Sequence, residues 1–314
     1  MEEPRQDFRR YLEPKVLAKL GGLELRARMV VEGFVSGMHR SPHRGSSVEF
    51  ADHRVYVQGD DLRHIDWKVY GKTDKYYIKE YEQETNLRLM IVVDNSESMN
   101  YRSSDDLMTK HDYATSLAAA MAYLTLQQQD AVGLTLFDEH VTEFIRPSNS
   151  AHHWLTIVQE LARHPGKAKT SIGRVLDELA ERLQQRMLVV LISDLFDDPE
   201  NILRGIRHLR YRHHELVVWN LWDPVELSFP FQGPTRFEGL ESEGDMLVEP
   251  RSLRSVYLAE VEHFQSLLRI GAGKMHVDFS VFNTETPLDA VLSSYLATRA
   301  SRLRKRSSRV IGRR

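Results

Sequence analysis

From residue 87 onward, short apolar runs alternate with longer segments in which apolar residues recur at helical spacing. The short runs are rich in Val, Ile and Leu and are bounded by polar residues, which is typical of buried β-strands. They predict six strands at Leu87–Val93, Ala131–Phe137, Val141–Arg146, Met187–Ser193, Glu215–Leu221 and Met275–Phe282. The longer segments predict helices at about Asp105–Gln128, Ala151–Leu161, Ser171–Gln185, Asn201–Arg210, Ser252–Ile270 and Pro287–Arg302. This alternation favours an α/β fold on a mostly parallel sheet.

The connection between the second and third predicted strands is only Asp138-Glu139-His140. A gap this short joins antiparallel neighbours, because a parallel crossover needs a dozen or more residues. The third strand is therefore predicted as an antiparallel edge of a mixed six-stranded sheet with helices on both faces. Residues 223–250 are rich in Pro, Gly and Glu, and we interpret them as an irregular or hairpin insertion between the fifth strand and its following helix.

The first 85 residues have a different pattern. Apolar residues among charged ones over 14–38 predict one or two amphipathic helices, interrupted at Gly21-Gly22. Short strand-like pieces follow, with a short helix expected between Asp60 and Val69. The strand-like pieces are Ser47–Phe50, Arg54–Val57 and Lys75–Tyr81.

The pattern thus divides the chain into four parts. The predicted organisation is amphipathic helices in 1–40, a short-strand element in 41–85, the α/β domain in 86–285, and a C-terminal helix with a basic tail in 286–314.

A candidate site follows the first strand of the α/β domain, in the stretch Asp94-Asn95-Ser96-Glu97-Ser98. A carboxylate and two hydroxyls at alternate positions can turn three oxygens toward one point, and hard divalent cations prefer oxygen ligands. Ligands of open α/β sheets bind outside the carboxyl ends of the strands. Asp, Asn and Ser are also ordinary turn and cap residues, so the motif alone leaves both interpretations open.

Two further segments extend the set of oxygen donors. Thr170 lies where a predicted helix opens, and Asp194 ends the predicted strand Met187–Ser193. The order Asp-x-Ser-x-Ser, Thr, Asp resembles the metal-ion-dependent adhesion site of the von Willebrand factor A fold. The resemblance spans roughly residues 86–285 and implies that Mg²⁺ or Mn²⁺ is held by five residues. These are Asp94, Ser96, Ser98, Thr170 and Asp194.

The resemblance also implies roles for these five residues. The two serines coordinate directly, the acids often bind through water, and Thr170 moves in or out with conformation. Asp94 is expected to carry the dominant charge and Asp194 the second. One coordination position stays open for a carboxylate of a partner protein.

A longer resemblance lies upstream, in the segments Gly45–Phe50, Arg54–Tyr56, Gly59–Trp67 and Tyr77–Glu82. They resemble the signature of a bacterial family of von Willebrand A-like proteins, domain of unknown function fifty-eight. Members are commonly encoded beside MoxR-type AAA+ ATPases and are thought to work with them as chaperone or cofactor-insertion systems. The resemblance implies a non-catalytic interaction module whose partner is such an ATPase or a client that offers Asp or Glu.

An enzymatic alternative uses the same two acids. Strands that end in Asp94 and Asp194 also resemble Mg²⁺-dependent phosphohydrolases of the haloacid dehalogenase type, in which Asp94 would be the nucleophile. That chemistry normally needs a second Asp two residues on as acid and base, and this position holds Ser96. The mismatch favours the non-catalytic interpretation. The chain also has no Walker A or GxGxxG motif, so any nucleotide energy is expected to come from a partner.

Composition narrows the remaining classes. The 314-residue chain has no cysteine, which excludes disulfides, thiolate metal sites and a cysteine nucleophile. The formal net charge of −3 does not indicate a nucleic-acid-binding protein. No apolar run approaches the ~18 residues of a membrane span, and Met1–Asp7 lacks a signal-peptide pattern. We therefore expect a soluble, cytoplasmic protein, although many relatives carry N-terminal membrane helices.

The C-terminal residues are strongly basic. Such a tail is compatible with weak contact to an anionic surface, and equally with a solvated helix end and a frayed terminus. The basic residues are Arg299, Arg302, Arg304, Lys305, Arg306, Arg309, Arg313 and Arg314.

Overall fold

The computed structural model describes residues 22–38, 53–56, 65, 67–79, 87–150, 152–163, 168–237 and 246–296. They belong to two compact units, one with the described residues between Met38 and Asn86 and one with all the others. The predicted strand Ser47–Phe50, Asp60, most of the family signature and the basic tail lie outside the described residues. Among the described helices, none is long and apolar enough to cross a membrane.

The described strands are numbered in chain order. They are β1 (His53–Val55), β2 (Tyr77–Lys79), β3 (Arg88–Asp94), β4 (Ala131–Phe137), β5 (Val141–Ser148), β6 (Leu188–Ser193), β7 (Glu215–Trp222), β8 (Thr235–Phe237), β9 (Met246–Val248) and β10 (Asp278–Asn283). β1 pairs with β2 and β8 with β9, both antiparallel, and the other six form one sheet in the order β10-β7-β6-β3-β4-β5.

The helices follow the same numbering. They are α1 (Leu23–Met38), α2 (Trp67–Thr73), α3 (Lys110–Gln127), α4 (His153–Leu161), α5 (Ile172–Arg182), α6 (Pro199–Tyr211), α7 (Pro224–Ser228), α8 (Pro250–Lys274) and α9 (288–296). A short 3₁₀ helix, Glu97–Asn100, lies between β3 and α3.

The predicted mixed sheet with helices on both faces is confirmed. β3, β4, β6, β7 and β10 are parallel, and only β5 runs antiparallel, at the edge beside β4. This antiparallel edge is the arrangement that the short Asp138-Glu139-His140 connection predicted.

Alternate residues of each central strand belong to different halves of the core. In β3, Leu89, Ile91 and Val93 pack in one apolar cluster, whereas Met90 and Val92 pack in the other. Helices α1, α3 and α4 contribute to the first cluster, and α5, α6 and α8 contribute to the second. Because the central strands are buried on both faces, their sequences are continuous apolar runs and do not alternate between apolar and polar residues.

Several predicted boundaries differ from those of the structure. α3 begins at Lys110 and not at Asp105, because the side chain of Thr109 accepts a hydrogen bond from the Asp112 amide and caps the helix there. α8 runs to Lys274, past the predicted end at Ile270, so β10 begins only at Asp278. In the smaller unit, α2 spans Trp67–Thr73 and so ends beyond the predicted end at Val69; the start of the predicted helix, near Asp60, lies outside the described residues.

Candidate metal-binding site

The loop after β3 is held in place from two sides. The Asn95 amide donates to the carbonyl of Phe137 at 2.7 Å, which ties the loop to the end of β4. The Glu97 amide donates to the carbonyl of Ala168 at 3.1 Å, which ties it to the segment before α5. The second contact brings Thr170 to the Asp-x-Ser-x-Ser loop, although 76 residues separate Thr170 from Asp94.

Four of the five predicted ligands form one cluster of oxygen atoms. Asp94 Oδ1 accepts a hydrogen bond from the Ser96 amide at 3.0 Å, and Asp94 Oδ2 accepts one from Thr170 Oγ1 at 3.3 Å. The Oγ atoms of Ser96 and Ser98 are 3.1 Å apart. Asp94, Ser96 and Ser98 are buried, and Thr170 is half-buried, so the cluster opens toward solvent on the side of Thr170.

The spacing of these oxygens fits a small divalent cation. Neighbouring ligands in an octahedron with Mg²⁺–O bonds of about 2.1 Å lie about 3 Å apart. The 3.1 Å and 3.3 Å separations are close to that value. No group of three or more His, Asp or Glu side chains among the described residues is arranged to hold a metal.

Ser193 is a fourth hydroxyl at the cluster, which sequence reasoning missed. Its Oγ donates to Asp94 Oδ2 at 2.5 Å and accepts from the Leu195 amide at 2.8 Å. The parallel register of β3 and β6 pairs Val93 with Ile192 and so places Ser193 beside Asp94. A polar residue at the end of a buried apolar run, just before Asp194, was the signal that could have identified it.

The surroundings of Asp94 disfavour its charged form. Burial and the negative charge of Asp194 raise the pKa of Asp94 to about 7, and the hydrogen bonds from Ser193 and Ser96 offset only part of that rise. Positive charge beside Asp94 would favour ionisation. The cluster therefore holds a carboxyl group whose ionisation would be linked to cation binding.

Asp194 has a different partner, a lysine that sequence reasoning also missed. Lys110 is fully buried at the start of α3, and its Nζ donates to Asp194 Oδ2 at 2.8 Å and to Glu226 Oε1 at 2.8 Å. The Phe196 amide donates to Asp194 Oδ1 at 3.4 Å. One oxygen of the fifth predicted ligand is thus engaged by an ammonium group, and its approach to a cation would be through Oδ1 or a water molecule.

The two carboxylates keep the buried lysine charged. Burial alone would lower the pKa of Lys110, but Asp194 and Glu226 raise it above its ordinary value. Burial also raises the pKa of Glu226, and Lys110 opposes that rise. The Lys110 ammonium lies 4.8 Å from the ring centroid of Phe196, which closes one side of the ion pair.

Glu226 comes from the predicted insertion. α7 begins with a capping box in which Asp223 and Glu226 satisfy each other's backbone amides, and Asp223 Oδ2 also accepts from the Ser103 amide at 2.9 Å. β8 and β9 then form an antiparallel hairpin. The insertion is therefore fixed to the loops beside the oxygen cluster. No sequence pattern indicated this contact.

Comparisons with known proteins agree with the upstream signature. A family model described as "Protein of unknown function DUF58" matches residues 52–266. An uncharacterized protein of Mycobacterium tuberculosis is 26% identical over 233 residues, which cover 73% of this chain and 72% of the relative.

Solved structures that match part of the chain include a conserved hypothetical protein, BatB, from Bacteroides thetaiotaomicron. It is 13% identical, with a TM-score of 0.47 over 68% of this chain and 99% of its own. The SpRpn10 VWA domain is 11% identical, with a TM-score of 0.38 over 67% of this chain and 95% of its own.

Proposed function

The chain belongs to the DUF58 family of proteins of unknown function, and from this premise we propose that it is a non-catalytic protein-interaction module. Its partner contact is completed by Mg²⁺ or Mn²⁺ at Asp94, Ser96, Ser98 and Thr170, with Asp194 as the outer carboxylate. The observation that carries the proposal is the cluster of oxygens at the carboxyl end of β3, spaced at 3.1 Å and 3.3 Å.

The charges around the cluster favour an acidic partner. Lys110 offsets the charge of Asp194 through a 2.8 Å ion pair, so Asp94, once ionised beside a cation, would supply the main uncompensated negative charge of the cluster. A bound divalent cation would then keep net positive charge and an open position for an Asp or Glu of another protein. Asp94, Ser96 and Ser98 lie at the end of a strand that is buried from Leu89 to Asp94, which keeps their oxygens fixed.

The partner that we propose is a MoxR-type AAA+ ATPase, or a client protein that presents an exposed Asp or Glu. The chain would then act as an adaptor in chaperone or complex-maturation work, and the ATPase would supply the nucleotide energy. The support for this partner is the family resemblance together with the lack of a phosphate-binding motif in the chain.

Metal binding is the first step to test. Calorimetric titration of Mg²⁺ and Mn²⁺ into wild type should show saturable binding that Asp94→Ala abolishes. Asp105→Ala is the matched control, because Asp105 is 96% exposed and pairs with Arg102 in a nearby loop. Loss of binding in both variants, or in neither, would contradict the assignment.

Partner binding is the second step. Capture of the cognate ATPase or client by wild type should be lost in EDTA and restored by Mg²⁺. Capture by Asp94→Ala should not be restored by Mg²⁺. Capture that is indifferent to both EDTA and Asp94→Ala would remove the metal from the proposed function while leaving an interaction module.

A further inference from the structure

Helix α8 has a second apolar face that points away from the core. On its inner side Leu268 and Ala272 are buried, and Phe264 packs against the core cluster. On its outer side four large apolar side chains are exposed, between 40% for Leu253 and 65% for Val256. These four are Leu253, Val256, Leu267 and Ile270.

The outer residues follow a heptad repeat. Intervals of three and four residues connect Leu253, Val256, Glu260, His263, Leu267 and Ile270. Such intervals place side chains in one stripe along a helix and are typical of the seam of a coiled coil. The two polar members, Glu260 and His263, are exposed and lie in the middle of the stripe, with an apolar pair on each side.

We propose that this stripe binds the same stripe of a second copy of the chain, with the two α8 helices antiparallel about a twofold axis. A twofold axis near residues 261 and 262 pairs each seam position with its counterpart: Leu253 with Ile270 of the second copy, and Val256 with Leu267 of the second copy. One surface then serves both subunits, as an isologous interface requires. Each pair places two exposed apolar side chains in contact.

Charge complementarity determines the direction. The same antiparallel register pairs Glu260 with His263 of the second copy, and Glu249 with Lys274 of the second copy, so each acid meets a basic residue. A parallel register would place Glu260 against Glu260 and Lys274 against Lys274. Like charges opposed across an interface are unfavourable, and opposite charges fix the register.

The residues beside the seam allow the two helices to approach closely. Ser252, Ala259, Ser266 and Gly273 are all small and recur at seven-residue spacing next to the stripe. The distance between packed helices depends on the side chains at the contact, and small ones shorten it. The 25-residue helix is about 37 Å long, so the whole seam can take part.

Sedimentation velocity on the full-length protein tests association. Wild type should sediment as a species of twice the 36.4 kDa chain mass at micromolar concentration, and Val256→Glu should be monomeric with an unchanged circular dichroism spectrum. Leu155→Glu is the control, because Leu155 is a similarly exposed apolar residue on α4, and it should remain dimeric. A wild-type monomer at 100 µM, or a dimer that survives Val256→Glu, would overturn the proposal.

Cysteine cross-linking tests the register independently of stability. The chain has no cysteine, so Val256→Cys and Leu267→Cys each introduce a single thiol. Mixed and oxidised, the two variants should form a disulfide-linked pair. Neither variant should form a disulfide on its own. In a dimer of one variant the two thiols lie 11 residues apart along the antiparallel helices, which is about 16 Å and too far for a disulfide. Cross-linking of either variant alone, or none in the mixture, would contradict the antiparallel register.

Discussion

At the scale of single residues, Lys110 connects the stability of the fold with the charge of the candidate site. A buried ammonium between two carboxylates stabilises the fold only as a complete set, because removal of one member leaves an uncompensated buried charge. Lys110 also determines the net charge beside Asp94, since it neutralises part of the charge of Asp194 and Glu226. The same side chain therefore affects both stability and the attraction of the cluster for cations.

We predict that Lys110→Met lowers the free energy of unfolding by about 3–5 kcal/mol, because Asp194 is left buried without its partner. Arg186→Met is the matched control: its ion pair with Glu215 is 2.7 Å long but exposed, and its loss should cost under about 1 kcal/mol. Urea denaturation monitored by circular dichroism measures both. Equal losses in the two variants would show that the Lys110 ion pair is not buried in solution.

The raised pKa of Asp94 predicts a pH dependence of stability. The pKa rises from 3.8 to about 7 on folding, so the folded state binds this proton more tightly than the unfolded chain. The stabilisation of the folded state by this proton is complete below pH 3.8 and is lost as pH rises through about 7. In EDTA, the stability of wild type relative to Asp94→Asn should fall by about 2–3 kcal/mol between pH 5 and pH 8.

Two results would contradict that prediction. A constant difference between wild type and Asp94→Asn across this range would mean that Asp94 stays ionised throughout. A wild type that becomes more stable relative to Asp94→Asn as pH rises would mean that the pKa of Asp94 is lowered on folding. Saturating Mg²⁺ should flatten the dependence if the cation binds the ionised carboxylate.

The sequence predicts the local part of the candidate site but not the contacts that come from distant segments. Asp94, Ser96 and Ser98 form a local motif at a strand end, which the sequence displays directly. Lys110 lies 84 residues from Asp194 and 116 from Glu226, and no periodicity links these positions. A lysine at a helix start is ordinarily solvated, so its burial depends on tertiary packing that one sequence does not show.

At the scale of elements, the contact between α5 and α6 depends on glycine. A Cβ added at Gly205 would lie 2.7 Å from the Cβ of Leu176 and 3.0 Å from the carbonyl of Gly173. A Cβ at Gly173 would lie 2.9 Å from the carbonyl of Asn201. Both glycines therefore allow the backbones of the two helices to approach closely. The contact also fixes α5, whose start carries Thr170 to the oxygen cluster.

We predict that Gly205→Ala destabilises the fold by about 1–3 kcal/mol, because overpacking outweighs the roughly 1 kcal/mol gain in helix propensity. Gly273→Ala in α8 is the control, since an added Cβ there meets nothing within 4 Å, and it should be neutral or stabilising. Thermal unfolding compares the two variants. A stabilised Gly205→Ala protein would mean that α5 and α6 are farther apart in solution.

The central strands were predictable because burial on both faces produces apolar runs of strand length, and the bounds of β4 match the prediction residue for residue. Helix starts were harder. Asp105 is a good cap by residue type, yet it pairs with Arg102 in a loop and Thr109 caps α3 instead. Several adjacent polar residues can each cap a helix, and packing decides which one does.

At the scale of the whole molecule, the main unit is discontinuous along the chain. α1 precedes the smaller unit, yet its Leu23, Ala27, Val30 and Val31 are buried in the same cluster as the sheet. Arg28 of α1 also lies 5.2 Å from the ring centroid of Trp154 in α4. The predicted organisation treated 1–40 as a separate part because amphipathicity shows that a helix has an apolar face but not which surface covers it.

We predict that α1 is required for the sheet unit to fold. Val30→Asp should abolish cooperative unfolding or lower its midpoint severely, because a charge without a partner would be buried in the core. Leu25→Asp on the same helix should have little effect, since Leu25 is half exposed. Comparable effects in both variants would mean that α1 does not pack as described.

Replacement of residues 39–86 by a flexible linker completes this test. None of the described residues in either core cluster lies within 38–86, so the linker variant should keep a cooperative transition. Deletion of residues 1–38 from that variant should abolish the cooperative transition, because it removes Leu23, Val30 and Val31, whose burial contributes roughly 5 kcal/mol. A loss of that size approaches the whole stability of many domains. Cooperative unfolding without α1 would show that the sheet forms its core alone and that α1 only docks on it.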